Sequence, residues 1–190
     1  MKPSAALYQA FREVGEDLFA QGLISATAGN FSARDGEGFW ITKSGVRKNR
    51  LAPEDLLYVG LEPDPERDRG ASVELVVHRE VYRATDARAI VHAHPRTAVA
   101  LSLDLSAIRP VDLEGRLVLG EVPVLDPTTK SATREAARAV AEGLARYPVV
   151  MLRGHGAFAR GRDLFTAYAR LTVLEESAQV LLSAKLWRIG

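Results

Sequence analysis

The chain has 190 residues, close to the usual size of one domain, so a single domain over residues 1–190 is expected. Apolar residues make up 47% of it and charged residues 26%, a balance typical of globular proteins that argues against a disordered or fibrous chain. The formal net charge of +1 leaves no excess positive charge for gripping a polyanion, so nucleic acid is not expected as a partner.

The amino-acid content also indicates where the protein is located and which residues could bind a metal. The N-terminal segment carries Glu13, Glu16 and Asp17 within its apolar spacing, unlike a signal peptide, and no run of about 18 apolar residues follows. We therefore expect a cytoplasmic protein that does not bind membranes. The sequence has no cysteine, which excludes disulfides and thiolate ligands, so any metal must be held by His, Asp or Glu.

Apolar periodicity and turn residues predict the elements in chain order. The first half is predicted to contain a helix over 5–20, a hairpin over 28–42, a helical turn at 53–55, a strand over 57–61, a surface loop over 62–70 and a helix over 73–84 with Ser72 as its N-cap. The second half is predicted to contain a buried strand over 89–94, an edge strand within 117–125, a helix over 133–147, a buried strand over 149–152, a turn at 154–156 and a helix over 164–186. Strands and helices interleave but a hairpin is also present, so the expected fold class is α/β, a mixed sheet with helices on its faces.

Three of the four histidines lie in contexts that suit a metal site. His92 and His94 alternate on the predicted strand 89–94, so their side chains project from the same face and can approach one ion. His155 lies between two glycines, which permit a sharp turn and a close backbone approach at a strand end. Three neutral nitrogen ligands leave one coordination position open, and zinc is the first choice for such a set, with manganese, cobalt or iron as alternatives.

Ordinary structural roles are also open for these residues. The pair on the strand suits one hydrogen-bonded and one exposed histidine, and His155 taken alone is more often a turn residue than a ligand. His78 lies on the predicted helix 73–84 and is assigned to packing or to a supporting hydrogen bond. Glu74 lies in the first turn of the same helix, where the helix dipole favours a carboxylate in any case.

Five short motifs occur in the order in which one known family carries them. They are TAGNFSAR at 27–34, WITKSG at 40–45, SVE at 72–74, VHAHP at 91–95 and RGHGAFARG at 153–161. Each motif is weak alone, but five in register over nearly the whole chain form a specific signal. The sequence resembles the class II aldolase and adducin head-domain family, and within it most closely the aldolases that act on L-fuculose 1-phosphate.

The resemblance implies a fold, an assembly and a set of site residues. The implied fold is a three-layer α/β/α sandwich around a mixed, mainly antiparallel sheet, usually assembled as a homotetramer. By the same comparison, His92, His94 and His155 match the zinc ligands, and Glu74 matches the carboxylate that binds resting zinc and then acts as acid and base. The phosphate pocket of the family falls on Gly29, Asn30, Ser44, Gly45 and Ser72. Glycine backbone, hydroxyl and amide donors at such positions suit a phosphate dianion.

The implied activity is that of a zinc-dependent class II aldolase, a carbon–carbon lyase of carbohydrate metabolism. It would cleave a ketose 1-phosphate such as L-fuculose 1-phosphate into dihydroxyacetone phosphate and an aldehyde, through a zinc-stabilised enediolate. None of the five lysines lies in an apolar strand, where its pKa would be depressed, so a Schiff-base lysine is not expected. The stretch 95–146 has no tyrosine, although the family places one there for the aldehyde fragment, so the aldehyde end of the pocket is expected to be permissive.

Three other functions stay open. A methylthioribulose 1-phosphate dehydratase shares the fold, the zinc and the glutamate. A ribulose phosphate 4-epimerase breaks the same type of bond but needs further acid/base groups. An adducin-like interaction module would keep the fold without catalysis, although such a module has no reason to keep three imidazoles and a carboxylate together. In each enzymatic case the expected partner is a small phosphorylated sugar.

Overall fold

Within residues 2–126 and 132–187, which a computed structural model describes, the protein forms an eight-stranded sheet with helices on both faces. The helices are α1 (Ala5–Ala20), α2 (Leu75–Ala84), α3 (Arg96–Ser102), α4 (Leu113–Val118), α5 (Arg134–Arg146) and α6 (Leu164–Trp187). The strands are β1 (Asn30–Asp35), β2 (Gly38–Thr42), β3 (Leu56–Gly60), β4 (Ala89–Ala93), β5 (Ala107–Ile108), β6 (Val122–Leu125), β7 (Val149–Leu152) and β8 (Gly156–Gly161). Two short 3₁₀ helices, Lys48–Arg50 and Pro53–Asp55, connect β2 to β3.

The sheet is mixed, with the strand order β3-β2-β1-β4-β8-β7-β6-β5. Neighbouring strands pair antiparallel, apart from β6 and β7, which are parallel. Helix α5 lies between these two strands in the chain and makes the crossover that a parallel pair needs. Strand β4 lies near the centre, between β1 and β8. The mainly antiparallel mixed sheet is therefore confirmed.

Side chains alternate between the two faces of the sheet, and each face packs against a different set of helices. Helices α1, α3 and α6 cover one face, where Phe31, Val91 and Met151 are fully buried. Helices α2 and α5 cover the opposite face, over Ile90 and Val150. These two apolar layers confirm the α/β/α sandwich. Among the described residues, none of the helices is long and apolar enough to span a membrane.

The start of α2 differs from its prediction. Ser72 is not the N-cap, because the helix begins at Leu75 and Glu74 occupies the N-cap position. The Ser72 hydroxyl instead accepts a hydrogen bond of 3.3 Å from the backbone N–H of Glu74. Glu74 therefore precedes the helix rather than lying in its first turn, and the residue is 3% exposed.

The predicted edge strand within 117–125 is wrong in two respects. Residues up to Val118 belong to α4, which begins after Asp112 because that carboxylate accepts a 2.6 Å hydrogen bond from the backbone N–H of Gly115. The strand that follows, β6, lies inside the sheet between β5 and β7. The sequence patterns also do not reveal α3, α4 or β8, which are short elements close behind a proline or a glycine.

Helix α1 meets the first 3₁₀ helix at Gly15, where no side chain fits. A Cβ atom at this position would lie 2.0 Å from the carbonyl oxygen of Lys48. Because that contact is with backbone, the two elements would have to move apart to accept any larger residue. Gly15 thus sets how closely Lys48 approaches the core.

We expect Gly15→Ala to lower the free energy of unfolding by about 1–3 kcal/mol, because the substitution overpacks this contact. At an exposed helix position the same change would raise stability by about 1 kcal/mol, so the sign of the effect tests the packing. Urea unfolding provides the measurement. Glu13→Ala, on the exposed face of α1, is the control and should change stability by less than about 0.5 kcal/mol. A Gly15→Ala protein at least as stable as the wild type would contradict the contact.

Candidate active site

The candidate site lies where one end of β4 meets β1 and β8. His92 is the fourth residue of β4 and lies opposite Asn30 on β1 and Phe158 on β8. Its ring stacks on that of Phe158, with 4.1 Å between the ring centroids and 16° between the planes. His94 follows the last residue of β4 and is half-buried. The pairing of three strands therefore fixes the first of the predicted ligands.

His155 lies in the turn between β7 and β8, and both of its glycine neighbours are required there. Gly154 has a φ of 65°, in the left-handed region that glycine adopts without steric cost. A Cβ atom on Gly156 would lie 2.6 Å from the ring of His94 and 2.9 Å from that of His92. The two glycines thus provide the sharp turn and the close approach that the sequence predicts.

The three imidazoles meet through their Nε2 atoms. His92 Nε2 lies 3.0 Å from His94 Nε2 and 3.1 Å from His155 Nε2. The Glu74 carboxylate joins this cluster, with Oε1 3.2 Å from His155 Nε2 and Oε2 3.2 Å from His92 Nε2. The structure therefore brings together all four residues that were predicted to bind the metal, and their role as ligands stays a prediction.

The hydrogen bonds of His92 show that this cluster suits a cation. His92 Nδ1 lies 2.9 Å from the carbonyl oxygen of Ala157. Because a carbonyl oxygen only accepts, Nδ1 carries the proton and Nε2 presents a lone pair to the cluster. That lone pair faces the Glu74 carboxylate, which is also an acceptor. Two acceptors 3.2 Å apart repel each other unless a cation or a proton lies between them.

The spacing of the cluster also fits a metal. With Zn–N bonds of about 2.0–2.1 Å, two nitrogen ligands of a tetrahedral zinc lie about 3.3 Å apart. The contacts of His92 with the other two imidazoles and with Glu74 fall between 3.0 and 3.2 Å. The residues present therefore match a four-ligand site in which one ligand is a carboxylate.

Burial and mutual proximity set the protonation of the cluster. Burial lowers the pKa of His92, and burial together with the neighbouring imidazoles lowers the pKa of His94 to about 4. Burial alone would raise the pKa of Glu74, but the imidazoles of His92 and His155 and the amide of Asn30 outweigh it, so its pKa lies below the ordinary value. At neutral pH, His92 and His94 are neutral and Glu74 is ionised, which are the states that bind metals.

The cluster lines a cleft with a volume of about 200 Å³. The five positions predicted to bind phosphate line the same cleft: Gly29, Asn30, Ser44, Gly45 and Ser72. Gly29 has a φ of 71°, and a Cβ atom there would lie 2.7 Å from the backbone oxygen of His92, so the loop passes close to β4. The predicted phosphate positions and the imidazoles therefore share one cavity.

Both polar atoms of the Asn30 side chain form hydrogen bonds within the protein. Its Nδ2 donates to Glu74 Oε2 over 2.7 Å, and its Oδ1 lies 2.6 Å from His78 Nε2. One N–H of Nδ2 and the Oδ1 atom are used in these contacts, so Asn30 supports Glu74; its role in binding phosphate, for which the amide has a second N–H, stays a prediction.

Lys48 also lines the cleft, although the sequence around it does not predict that position. Its side chain is 1% exposed, and its ammonium group donates to the carbonyl oxygens of Thr27 and Lys43 over 3.3 Å each and of Val46 over 3.0 Å. These carbonyls belong to the two segments that carry four of the five predicted phosphate positions: Gly29, Asn30, Ser44 and Gly45. One buried cation therefore holds both loops together.

Lys48 has a depressed pKa although, as expected from the sequence, it does not lie in an apolar strand. Burial lowers its pKa to about 8, and the charge of Asp55 offsets the effect of burial only in part. Lys48 lies in a 3₁₀ helix, and part of its surroundings comes from residues distant in the sequence, the carbonyl group of Thr27 and Gly15 of α1.

The chain belongs to the Class II Aldolase and Adducin N-terminal domain family, whose model matches residues 9–182. This family is metal-dependent, and the site formed by His92, His94 and His155 is present in this chain.

Similarity to individual proteins extends over most of the chain. The crystal structure of L-fuculose-1-phosphate aldolase from Thermus thermophilus is 64% identical, covers 98% of this chain and 97% of its own, and superposes with a TM-score of 0.94. The methylthioribulose-1-phosphate dehydratase of Acidiphilium cryptum is 36% identical over 85% of this chain and 83% of the relative. A probable bifunctional methylthioribose-1-phosphate isomerase/methylthioribulose-1-phosphate dehydratase of Nocardia farcinica is 33% identical over 95% of this chain, which spans only 35% of that relative.

We expect the pH dependence of stability to report the burial of Lys48. Its pKa falls from the ordinary 10.5 to about 8 on folding, so between these values the unfolded chain binds more protons than the folded protein. Stability from this group is therefore lowest below pH 8 and rises toward pH 10.5. Relative to Lys48→Met, the wild type should gain unfolding free energy over that range, as measured by urea unfolding at several pH values. The exposed Lys185→Met is the control; a flat difference for Lys48→Met as well would contradict the burial effect.

Proposed function

We propose that this protein is a metal-dependent aldolase that cleaves a ketose 1-phosphate, such as L-fuculose 1-phosphate, into dihydroxyacetone phosphate and an aldehyde. The observation that carries the proposal is the meeting of three imidazoles and one carboxylate in a cleft lined by candidate phosphate-binding positions. The 64% identity to the Thermus thermophilus L-fuculose-1-phosphate aldolase, over nearly the full length of both chains, supports this choice of reaction.

His92, His94 and His155 would hold the metal, with Glu74 as a fourth ligand that substrate can displace. We infer zinc, because three neutral nitrogens and one carboxylate, without a thiolate, suit that ion. When bound, the ion supplies Lewis-acid chemistry: it polarises the substrate carbonyl and stabilises the negative charge that grows as the carbon–carbon bond breaks.

The residues of the chain bind the phosphate and move one proton. The phosphate would lie against the backbone at Gly29 and Gly45 and the hydroxyls of Ser44 and Ser72, beside the loops that Lys48 holds. As the bond between C3 and C4 of the ketose breaks, its electron pair stays on C3 and the C4 hydroxyl becomes the aldehyde carbonyl. The ionised Glu74 would accept the proton that this hydroxyl loses and pass it to C3, and in the condensation direction it would move the same proton back. Because Glu74 is 3% exposed, little water competes for this proton.

A dehydratase acting on methylthioribulose 1-phosphate is the second candidate, because the Acidiphilium cryptum relative of that name is 36% identical. Its substrate is also a ketose 1-phosphate and would occupy the same cleft. The higher identity to the Thermus thermophilus aldolase favours aldol cleavage.

A homotetramer is the assembly that we propose for the working enzyme. Support comes from large apolar side chains that are exposed on α4 and at the end of α6: Leu113, Leu117, Leu186 and Trp187. Their exposure ranges from 61% to 88%, which provides apolar surface for association with further copies. The cytoplasmic location stays a prediction from the sequence.

Product identification tests the reaction. The zinc-loaded protein is incubated separately with L-fuculose 1-phosphate, methylthioribulose 1-phosphate and ribulose 5-phosphate, and products are identified by mass spectrometry. We expect dihydroxyacetone phosphate from the first substrate and none from L-fuculose, which lacks the phosphate. A chelator should abolish the reaction, and zinc or cobalt should restore it. Undiminished turnover by metal-free protein would overturn the metal-dependent mechanism, and loss of water from methylthioribulose 1-phosphate alone would establish the dehydratase instead.

Glu74→Gln tests the proton-transfer role. We expect kcat to fall by about 10²–10⁴-fold, because the amide cannot carry the proton, while three imidazoles keep the metal bound. Steady-state kinetics and metal analysis of the same preparation measure both effects. Glu80→Gln, on α2 but paired with Arg83 outside the cluster, is the matched control and should keep wild-type kcat. A wild-type rate in Glu74→Gln would remove Glu74 from the proposed step.

A further inference from the structure

A chain of hydrogen bonds runs from the core of the protein to Glu74. Tyr82 Oη lies 2.8 Å from Ser32 Oγ, which lies 2.6 Å from His78 Nδ1. His78 Nε2 lies 2.6 Å from Asn30 Oδ1, and Asn30 Nδ2 lies 2.7 Å from Glu74 Oε2. Each of the five side chains is at most 5% exposed. Water therefore has little access to the chain, and none to Ser32 and His78, which are fully buried.

Two facing elements build this chain. Asn30 and Ser32 alternate on β1 and project toward α2. His78 and Tyr82 lie one helical turn apart on α2, and Glu74 lies one turn before His78, at the N-cap. Every second residue of β1 therefore faces every fourth residue at the start of α2, and this match places the five polar side chains within hydrogen-bonding distance.

The direction of each hydrogen bond follows from the carboxylate. An ionised carboxylate only accepts, so the Asn30 Nδ2 donates to Glu74 and its Oδ1 faces His78. A carbonyl oxygen only accepts, so His78 Nε2 carries the proton. The lone pair is then on Nδ1, which accepts from the Ser32 hydroxyl, and the Ser32 oxygen accepts from Tyr82.

Burial keeps the two titratable groups in the core part of the chain, His78 and Tyr82, uncharged. It lowers the pKa of His78 to about 3, so the ring is neutral at pH 7 and has a single N–H. It raises the pKa of Tyr82, so the phenol keeps its proton. Every donor therefore points toward Glu74.

We propose that His78 is a positioning residue, which fixes the Asn30 amide so that its N–H₂ group holds the Glu74 carboxylate against the imidazole cluster. The inference rests on the proposed role of Glu74 in proton transfer. Without a donor at position 78, the Asn30 Oδ1 atom is left buried without a partner, and the amide loses the contact that holds it in place on the side away from Glu74. The amide, and the Glu74 carboxylate that it holds, would then shift from the orientation needed for proton transfer.

Nitrogen-15 NMR of histidine side chains tests the direction of the chain in the wild-type protein. The sequence has four histidines, and His78 is assigned as the signal that disappears in His78→Gln. We expect a proton on Nε2 and none on Nδ1, with and without added zinc. A proton on Nδ1 would overturn the proposal. This readout needs no turnover, so a wild-type protein inactive on every sugar phosphate would refute the proposed function without changing the NMR result.

Two variants test the positioning role. His78→Phe keeps a ring but removes both hydrogen bonds, whereas His78→Gln has an amide that can donate to Asn30 and accept from Ser32. We expect His78→Phe to lower kcat on L-fuculose 1-phosphate by roughly 10- to 100-fold, as is typical for residues that orient a ligand or catalytic group. KM should change little, because the phosphate contacts are intact, and His78→Gln should recover most of the lost rate.

Val81→Ala separates positioning from loss of stability. Val81 is fully buried on α2 and takes no part in the hydrogen-bond chain, so its truncation should lower the melting temperature but leave kcat unchanged. Equal loss of stability in His78→Phe with wild-type kcat would show that His78 only supports the core, and would overturn the proposal. If His78→Phe does not fold, the kcat and KM of His78→Gln test the positioning role, and a proton on Nδ1 in the wild type would still overturn the proposal.

Discussion

The candidate site depends on the position of β4 between β1 and β8. Pairing with β1 places His92 opposite Asn30, and pairing with β8 places it beside the Ala157 carbonyl that fixes its tautomer. The same β8 follows directly from the turn that carries His155. A slip of one residue in β4 would turn His92 to the face covered by α1 and α6, because side chains alternate along a strand. One register therefore determines both the lone pair that faces the cluster and the amide that supports its carboxylate.

Polar anchors outside the cleft hold the segments that carry the other two imidazoles. Glu175 on α6 accepts hydrogen bonds from the backbone N–H groups of Thr97 and Ala98, just after His94. Arg153 donates to the carbonyl oxygens at the end of α3, and so ties the turn that carries His155 to that helix. The segment that carries His94 leads into the beginning of α3, which Glu175 holds, and the turn that carries His155 is bound to the end of α3 by Arg153. The spacing of the imidazoles is held by side chains that take no part in the proposed chemistry.

Apolar spacing and side-chain alternation predict the individual helices and strands, because these elements form from contacts between residues close in the sequence. The apolar spacing of α1 and the alternation of His92 with its strand neighbours are legible in the sequence, and His78 is confirmed as a buried, hydrogen-bonded residue. The contact between Asn30 and Glu74 joins residues 44 positions apart, and the burial of Lys48 depends on two separate loops, so neither follows from spacing. The assignment of ligands and phosphate positions came from the family motifs, since residue types alone also suit caps and turns.

The three carbonyl contacts of Lys48 couple the motions of the two loops that form one wall of the cleft. The ammonium group of Lys48 binds the carbonyl of Thr27 in one loop and the carbonyls of Lys43 and Val46 in the other. If either loop moves away, the ammonium group loses hydrogen bonds, and the remaining loop is then held less firmly. Local opening of this wall would therefore be cooperative, and amide protons in both loops would exchange with solvent in a single event rather than independently. Substrate would enter past a wall that behaves as one rigid unit.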